Sequence, residues 1–288
     1  MGQARQTMER RQLGLTLQRL RDQAAKSQQE AADAIGKVRS RIVQLENGTG
    51  TVSPDDLDCL LDFYGVTGAE RETVLALGME ARKRQKRRTY TDFLPGAFQR
   101  LADLEDAARE IWSYDVRIIP GPLQSPNYVR ETIESGDGIW WSASEGERES
   151  RQAFRLERQR RILQADPPKK LHFILTEDAL LTNDRNAGVM REQLTHLVDL
   201  VEHHPNLTIQ VLELGVAGNP APNGALLVLE FGSSAPRVGV APVVYGPSTY
   251  FYGEADTTAL LRAFQKISEL AMGPADSARF IRRKLEEN

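Results

Sequence analysis

Apolar residues along the first 80 positions of this 288-residue chain recur at three- and four-residue spacing, the period of helices with one buried face. Leu13, Leu17, Leu20 and Ala24 predict a first helix over residues 10–25, preceded by a loose arm at 1–9. Ser27 and Glu30 have the spacing of a capping box, and Ala31, Ala32 and Ile35 make a small apolar face behind it. Gly36 reads as the stop, since a tight reversal favours a residue that accepts the left-handed conformation. A third helix follows, with Ile42 and Leu45 inward and Arg39, Ser40, Arg41 and Gln44 on the other side. Ser53, Pro54, Asp55 and Asp56 start a fourth helix, striped by Leu57, Leu60, Leu61 and Tyr64 and ended by Gly65. Val74, Leu75 and Leu77 mark a fifth, so five short helices end near residue 80.

The pattern changes after residue 90. Leu94, Phe98, Leu101, Leu104, Ala108 and Ile111 fit one helix, and Trp112 to Ile119 an extended stretch closed by Pro120-Gly121-Pro122. Ser125-Pro126 opens another helix, broken by Gly136-Asp137-Gly138, and residues 145–164 form a long charged one ended by Pro167-Pro168. Strands are expected at 171–175, 207–212, 225–231, 238–245 and 249–252, where β-branched and aromatic residues lie between Gly and Pro. Helices are expected at 177–181, 189–203, 259–270 and, as a last short one, from Ser277. The fold class is therefore multidomain: an all-α five-helix module over 10–80, a basic linker over 81–92, and a mixed α/β (α+β) domain over 93–288.

Composition agrees with two folded domains, since 40% of residues are hydrophobic. No apolar run reaches membrane-spanning length and the first residues lack the apolar segment of a secretory signal. The single cysteine, Cys59, reads as a small core residue and excludes an intrachain disulfide, and the expected location is the cytoplasm. The net charge of −3 hides an asymmetry. Residues 1–88 carry 16 Lys and Arg against 12 Asp and Glu, and the remainder 21 against 28. A basic module on an acidic body suits a chain that meets phosphates at one end. The run R-K-R-Q-K-R-R at 82–88 is either a solvated linker or a phosphate contact beside the main site.

Two helices joined at Gly36, with small residues on the first, let the second cross closely and face a major groove. Ala32, Gly36, Ile42 and Glu46 fall in one register, and the segment resembles the phage-repressor-like helix-turn-helix family, often called the Xre family. Arg39, Ser40, Arg41 and Gln44 then become the expected base readers, since Arg pairs with guanine and Gln with adenine. The resemblance implies that Gln28, at the start of the preceding helix, holds a phosphate. Lys37 and the loop from Asn47 to Thr49 are expected on the DNA backbone. Two positions depart from the family: Lys37 stands where a buried Val is usual, and Val38 where Ser or Thr caps the reading helix.

The larger domain also carries a resemblance, in I-I-P-G-P-L-Q-S-P-N-Y-V (118–129), R-L-E-R-Q-R-R-I-L (155–163) and F-I-L-T-E-D-A-L-L (173–181). Q-L-T-H-L-V (193–198), P-N-L-T-I-Q-V-L (205–212) and A-L-L-R-A-F-Q-K-I-S-E-L-A (259–271) continue the series. In this order they look like an actinobacterial regulator family that joins an Xre-type module to a large antitoxin-like domain. The resemblance implies transcription regulation and a short acidic protein partner. Many relatives have a pattern like V-Y-V-E late in the domain, where this chain reads V-V-Y-G-P-S-T-Y-F-Y-G-E.

Little in the sequence suggests catalysis. His196 and His203 share a helix with Glu192, Asp199 and Glu202, which admits a weak metal site or simply exposed histidines at a helix end. Glu177 follows a strand but has no visible acid–base partner. The adjacent Trp140 and Trp141 fit core or surface anchors, or a pocket wall. Arg151, Arg155 and Arg158 share a face that pairs with Glu147, Glu149 and Glu157, or docks an acidic partner. The expectation is a sequence-specific DNA-binding regulator, not an enzyme, working as a homodimer on inverted-repeat duplex DNA without a cofactor. The alternatives are an antitoxin-like interaction protein and a small-molecule-sensing regulator.

Overall fold

In the computed structural model, which describes residues 6–83, 89–181, 186–232, 235–243 and 248–287, the first helix begins earlier than its apolar spacing suggests. Helix α1 spans Met8–Gln23, and the Thr7 side chain accepts from the Arg10 N–H as its N-cap. Met8 and Glu9, expected in a loose arm, are buried at 1% and 2% exposure. A single Met outside the run of leucines leaves no periodic trace, which is why the start was not visible.

The chain divides into two compact units, Met1–Ala107 with Gly246–Gly253, and Ala108–Tyr245 with Glu254–Asn288. In the first unit α2 (Gln28–Ala34), α3 (Arg39–Glu46), α4 (Pro54–Phe63) and α5 (Gly68–Arg82) follow α1. Leu13, Leu17, Leu20, Ala31, Ala32, Ile42, Leu45, Leu57, Leu60, Leu61, Val74 and Leu77 form their common core. Each large aliphatic side chain buried there contributes roughly 1.5–3 kcal/mol. Cys59 is a correction: it is exposed, on the outward side of α4. Gly14 lets α1 lie against the end of α3, because a Cβ there would collide with the carbonyl oxygens of Leu45 and Glu46. Beyond α5 the unit adds β1 (Thr89–Thr91), paired antiparallel with the late strand β7 (Thr249–Phe251), and α6 (Ala97–Ala107). Buried Asp92 accepts two bonds from Arg100 (2.7 and 2.6 Å) and one from Gln12 of α1 (3.2 Å). Arg19 of α1 bonds Asp103 of α6 at 3.2 Å.

The apolar series 94–111 is therefore not one helix. It ends in α6 at Ala107, and Ile111 belongs to β2 (Glu110–Asp115). A short apolar run fits both periods, and here ladder bonding on both sides of residues 110–115 decides for the strand.

In the second unit β2 runs parallel to β3 (Lys170–Thr176), which runs parallel to β4 (Leu207–Leu212). On the other side β2 pairs antiparallel with β5 (Leu226–Glu230), and β5 with β6 (Val238–Ala241). Tyr114, Ile174, Leu212, Leu226 and Val228 pack on one face beneath Phe264 and Ile267 of α10 (Glu254–Leu270). The second face meets α9 (Ala187–His203) by way of β4, and α9 packs on α7 (Pro126–Glu134) and on α11 (Pro274–Glu287). At β4 the Val211 N–H donates to Ser277 Oγ (3.0 Å) and its carbonyl accepts from Met272 N (2.9 Å). Those bonds cover what would otherwise be backbone open to strand addition. Helices α10 and α11 both start earlier than the apolar spacing implies, since their first turns are polar.

Helix α8 (Glu145–Leu163) opens with a capping box between Ser144 and Glu147. Glu147 is taken by Ser144, and Glu157 binds Arg160 and Arg161 (2.7 and 3.0 Å). No helix among the described residues is long and apolar enough to cross a membrane.

Candidate nucleic-acid interface

Helices α2 and α3 are joined by Ile35 to Val38, with Gly36 at φ +62° and the Lys37 N–H returning to the Ala32 carbonyl (2.9 Å). That closure fixes the angle at which α3 leaves. The α2 start is fully capped, with Ser27 and Glu30 bonding reciprocally. The α3 start is not: Val38 is extended, 69% exposed and supplies no side-chain acceptor. The first N–H groups of α3 are thus left to solvent or to an anion.

A chain of polar contacts sets the outward face. Arg21 of α1 and Glu46 of α3, 7% and 6% exposed, are joined by Nε–Oε1 (2.6 Å) and Nη2–Oε2 (3.2 Å) contacts. Arg21 is held further by Asp22 (2.6 Å) and the Lys26 carbonyl (2.9 Å). The hydrogen bonds that Arg21 donates to Glu46 raise its pKa above its already high value, so this guanidinium stays charged. Gln28 at the α2 start donates to Glu46 Oε2 (2.7 Å), which fixes its amide orientation. Its Oε1 accepts from Arg39 Nη2 (3.1 Å) and Nε (3.3 Å). The sequence-expected phosphate ligand Gln28 and base reader Arg39 therefore meet, and both hang on a buried ion pair.

The other expected contacts divide. Lys37, Ser40, Gln44 and Asn47 are exposed. Arg41 is half-buried, and its guanidinium donates to the Thr51 carbonyl, folding back over the loop after α3 rather than outward with Arg39. Thr49 Oγ1 donates to the Gln44 carbonyl (3.1 Å), which also accepts the N–H groups of Thr49 (2.9 Å) and Gly50 (3.1 Å). The Asn47 carbonyl accepts from Gln6 Nε2 (2.6 Å). Val43 lies one turn beyond Arg39, part exposed beside Ser40 and Gln44. Its helical offset gives that position, but an apolar residue reads as core. Of the basic run 82–88, Lys83 pairs with Glu80 (2.6 Å) and Arg82 reaches the Val52 carbonyl (3.4 Å). Residues 84–88 lie outside the described residues.

This geometry coincides with a helix-turn-helix domain match over residues 12–74. A second family, described as a domain of unknown function (DUF5753), matches residues 98–283. The chain belongs to the DUF5753 family. It carries that domain behind an N-terminal helix-turn-helix domain. No curated protein matches it. Among solved structures it is similar to TrmBL2, an archaeal chromatin protein reported to show a novel mode of DNA binding. Identity is 11%, with 71% of this chain and 61% of that one covered and a TM-score of 0.33. The chain thus spans less than two thirds of TrmBL2, and the likeness is too distant to carry over a mode of binding.

Within the DUF5753 domain the sequence-flagged residues have structural occupations. Glu177 Oε2 accepts from the Leu214 N–H (3.2 Å), and Glu192 takes both the side-chain amide and the N–H of Asn127. His203 Nδ1 bonds the Asp199 carbonyl (2.8 Å), while His196 is half-buried with Nε2 unpartnered. No His, Cys, Asp and Glu cluster among the described residues is arranged to hold a metal. Trp141 packs on Gly136 and lies under the Arg151 guanidinium, 5.0 Å from the ring centre. Trp140 and Ile139 are 48% and 71% exposed. Burial and the charges of Arg158 and Arg151 lower the Arg155 pKa. A cleft of about 530 Å³ runs between α7 and α8, lined by Arg130, Ile133, Glu134, Glu145, Arg148, Glu149 and Gln152. It is charged, not apolar.

Proposed function

We propose that this protein is a sequence-specific DNA-binding transcription regulator of the Xre type, acting as a dimer on an inverted repeat. The observation that carries it is the relay from the buried Arg21–Glu46 pair through Gln28 to Arg39. It presents a guanidinium and an amide together at the uncapped start of an outward helix. Arg39 and Gln44 read base edges, Ser40 and Val43 make the flanking contacts, and Gln28, Lys37, Asn47 and Thr49 hold the phosphate backbone. Arg41 joins them by leaving the Thr51 carbonyl. Half-sites about one helical turn apart follow from dimeric binding of such a module.

Selection from a random duplex pool at near-physiological salt tests this, with an Arg39→Ala/Gln44→Ala variant alongside. An inverted repeat enriched by the parent and lost in the variant supports the reading. Equal enrichment by both removes α3 from base recognition.

A second reading concerns the DUF5753 domain as the receiver of an acidic partner. What favours it is the Arg151–Trp141 stack beside exposed Trp140 and Ile139, with Arg155 held among like charges. Arginine and tryptophan are the residues that dominate protein–protein contact energy. Co-purification of a short acidic protein, lost on Arg151→Glu, supports this surface. Retention in that variant places the contact elsewhere.

A further inference from the structure

Helix α8 seats on the segment 121–126 through two glutamines. Gln159 Nε2 donates to the carbonyls of Gly121 (2.7 Å) and Gln124 (2.8 Å), and Gln152 Nε2 to that of Pro126 (3.3 Å). Arg155 lies between them on the same side of the helix, one turn after Gln152 and one before Gln159. It is half-buried, yet among the described residues its guanidinium has neither a hydrogen bond nor an ion pair.

Its charged neighbours are two more arginines. Among the described residues the charges that act on Arg155 are those of Arg158 and Arg151, and no carboxylate joins them. The Arg151 guanidinium lies over Trp141, 5.0 Å from the ring centre, and Trp141 is itself backed by Gly136. That stack holds one cation in place. Arg158 reaches the other way, its Nη1 lying 3.8 Å from where a Cβ on Gly121 would stand. Acidic residues outnumber basic ones after position 88, so the gap is one of placement and not of supply. On α8 itself Glu147 closes on Ser144, and Glu157 on Arg160 and Arg161. A partly desolvated charge beside like charges, with no counter-ion, costs free energy that a bound anion returns. None of the Arg155 nitrogens is sealed from solvent, so an anion can reach it. Guanidinium forks match phosphate oxygens two at a time, and a phosphate monoester carries about −1.5 to −2 charge at neutral pH.

We propose that Arg151, Arg155 and Arg158 bind the phosphate group of a small phosphate monoester. Arg155 forms the floor of the site, and Arg151 and Arg158 close on the phosphate from either side. The site shares Arg151 with the acidic-partner reading but does not rest on it, and its test contains neither DNA nor a partner protein.

The experiment is calorimetric titration of the full chain with phenyl phosphate in chloride buffer at constant ionic strength, with benzoate as the carboxylate match. The parent is compared with Arg155→Met, Arg151→Gln and, on the DNA-reading face, Arg39→Ala. One-to-one binding of phenyl phosphate is expected, about tenfold or more weaker for benzoate and in Arg155→Met, and unchanged in Arg39→Ala. Arg151→Gln, at an exposed position, weakens binding in the same direction. In phosphate-free buffer Arg155→Met melts no lower than the parent, because it removes a charge that has no partner. Absence of phenyl phosphate binding, equal binding of benzoate, or binding unchanged in Arg155→Met overturns the proposal. So does a lowered melting temperature in Arg155→Met, or loss of binding in Arg39→Ala.

Discussion

Glu46 serves two neighbours at once, closing on Arg21 behind it and on Gln28 beside it. Glu46→Ala leaves the buried Arg21 guanidinium only Asp22 and the Lys26 carbonyl, so the loss falls below the roughly 3–5 kcal/mol of a buried charge left alone; thermal unfolding of the full chain checks this. The double change Arg21→Met/Glu46→Leu separates the two roles. Replacing both charges by apolar groups is close to neutral for stability. Gln28 then loses its anchor, so discrimination between cognate and random duplex falls while unfolding is little changed. A third residue carries a pH dependence. Burial lowers the His196 pKa, so the folded chain binds fewer protons there than the unfolded one. Stability is therefore lost as pH falls below the ordinary histidine value toward the lowered one. His196→Leu shallows that decline in denaturation midpoints measured between pH 8 and 5. At this scale the sequence was partly legible. Arg39, Ser40 and Gln44 lie outward as their spacing requires, yet the Arg21–Glu46 pair was invisible, because contacts between side chains 25 residues apart leave no periodic signal.

Elements show a different balance. Capping residues made α2, α4 and α7 readable, since Ser27, Ser53 and Ser125 each accept a first-turn N–H. Where the cue is missing, structure and sequence agree for another reason: Val38 leaves α3 uncapped as its side chain dictates. Val38→Ser supplies the acceptor and stabilises the first unit by about 0.5–2 kcal/mol. The outcome is read from the midpoint of urea unfolding, and a fall would mean that the exposed valine packs on something in solution. Gly14→Ala is the opposite case. Its Cβ meets backbone oxygen at the end of α3, which cannot step aside, so a loss of at least about 1–3 kcal/mol is expected by the same measurement. Strands were found wherever β-branched residues ran between Gly and Pro. The junction at 107–110 escaped because Ala108 and Ile111 continue a helical spacing by coincidence, and only pairing with β3 and β5 settles it.

Across the whole molecule, the excess of basic over acidic residues before position 89 and its reversal after it give DNA affinity a steep salt dependence. Log affinity falls against log salt with a slope near 0.9 per phosphate neutralised. Changing the basic residues of 82–88 to Gln lowers that slope, and the ratio of cognate to random binding stays the same if the run meets only phosphates. Fluorescence anisotropy over a salt series measures both. The chain's order is easier to read than its partition: five helices and a mixed domain follow from pattern, but no pattern says that Thr249–Phe251 pairs with Thr89–Thr91. That ladder bears on how such proteins exchange parts. A chimera that takes residues 1–107 from one relative and the rest from another brings together a β1 and a β7 of different origin, and its register must be built anew. A junction placed before Thr89 leaves both strands with one parent. Recombination that swaps DNA specificity among relatives is thus expected to break near the end of α5, and laboratory chimeras joined there to outlast those joined after α6.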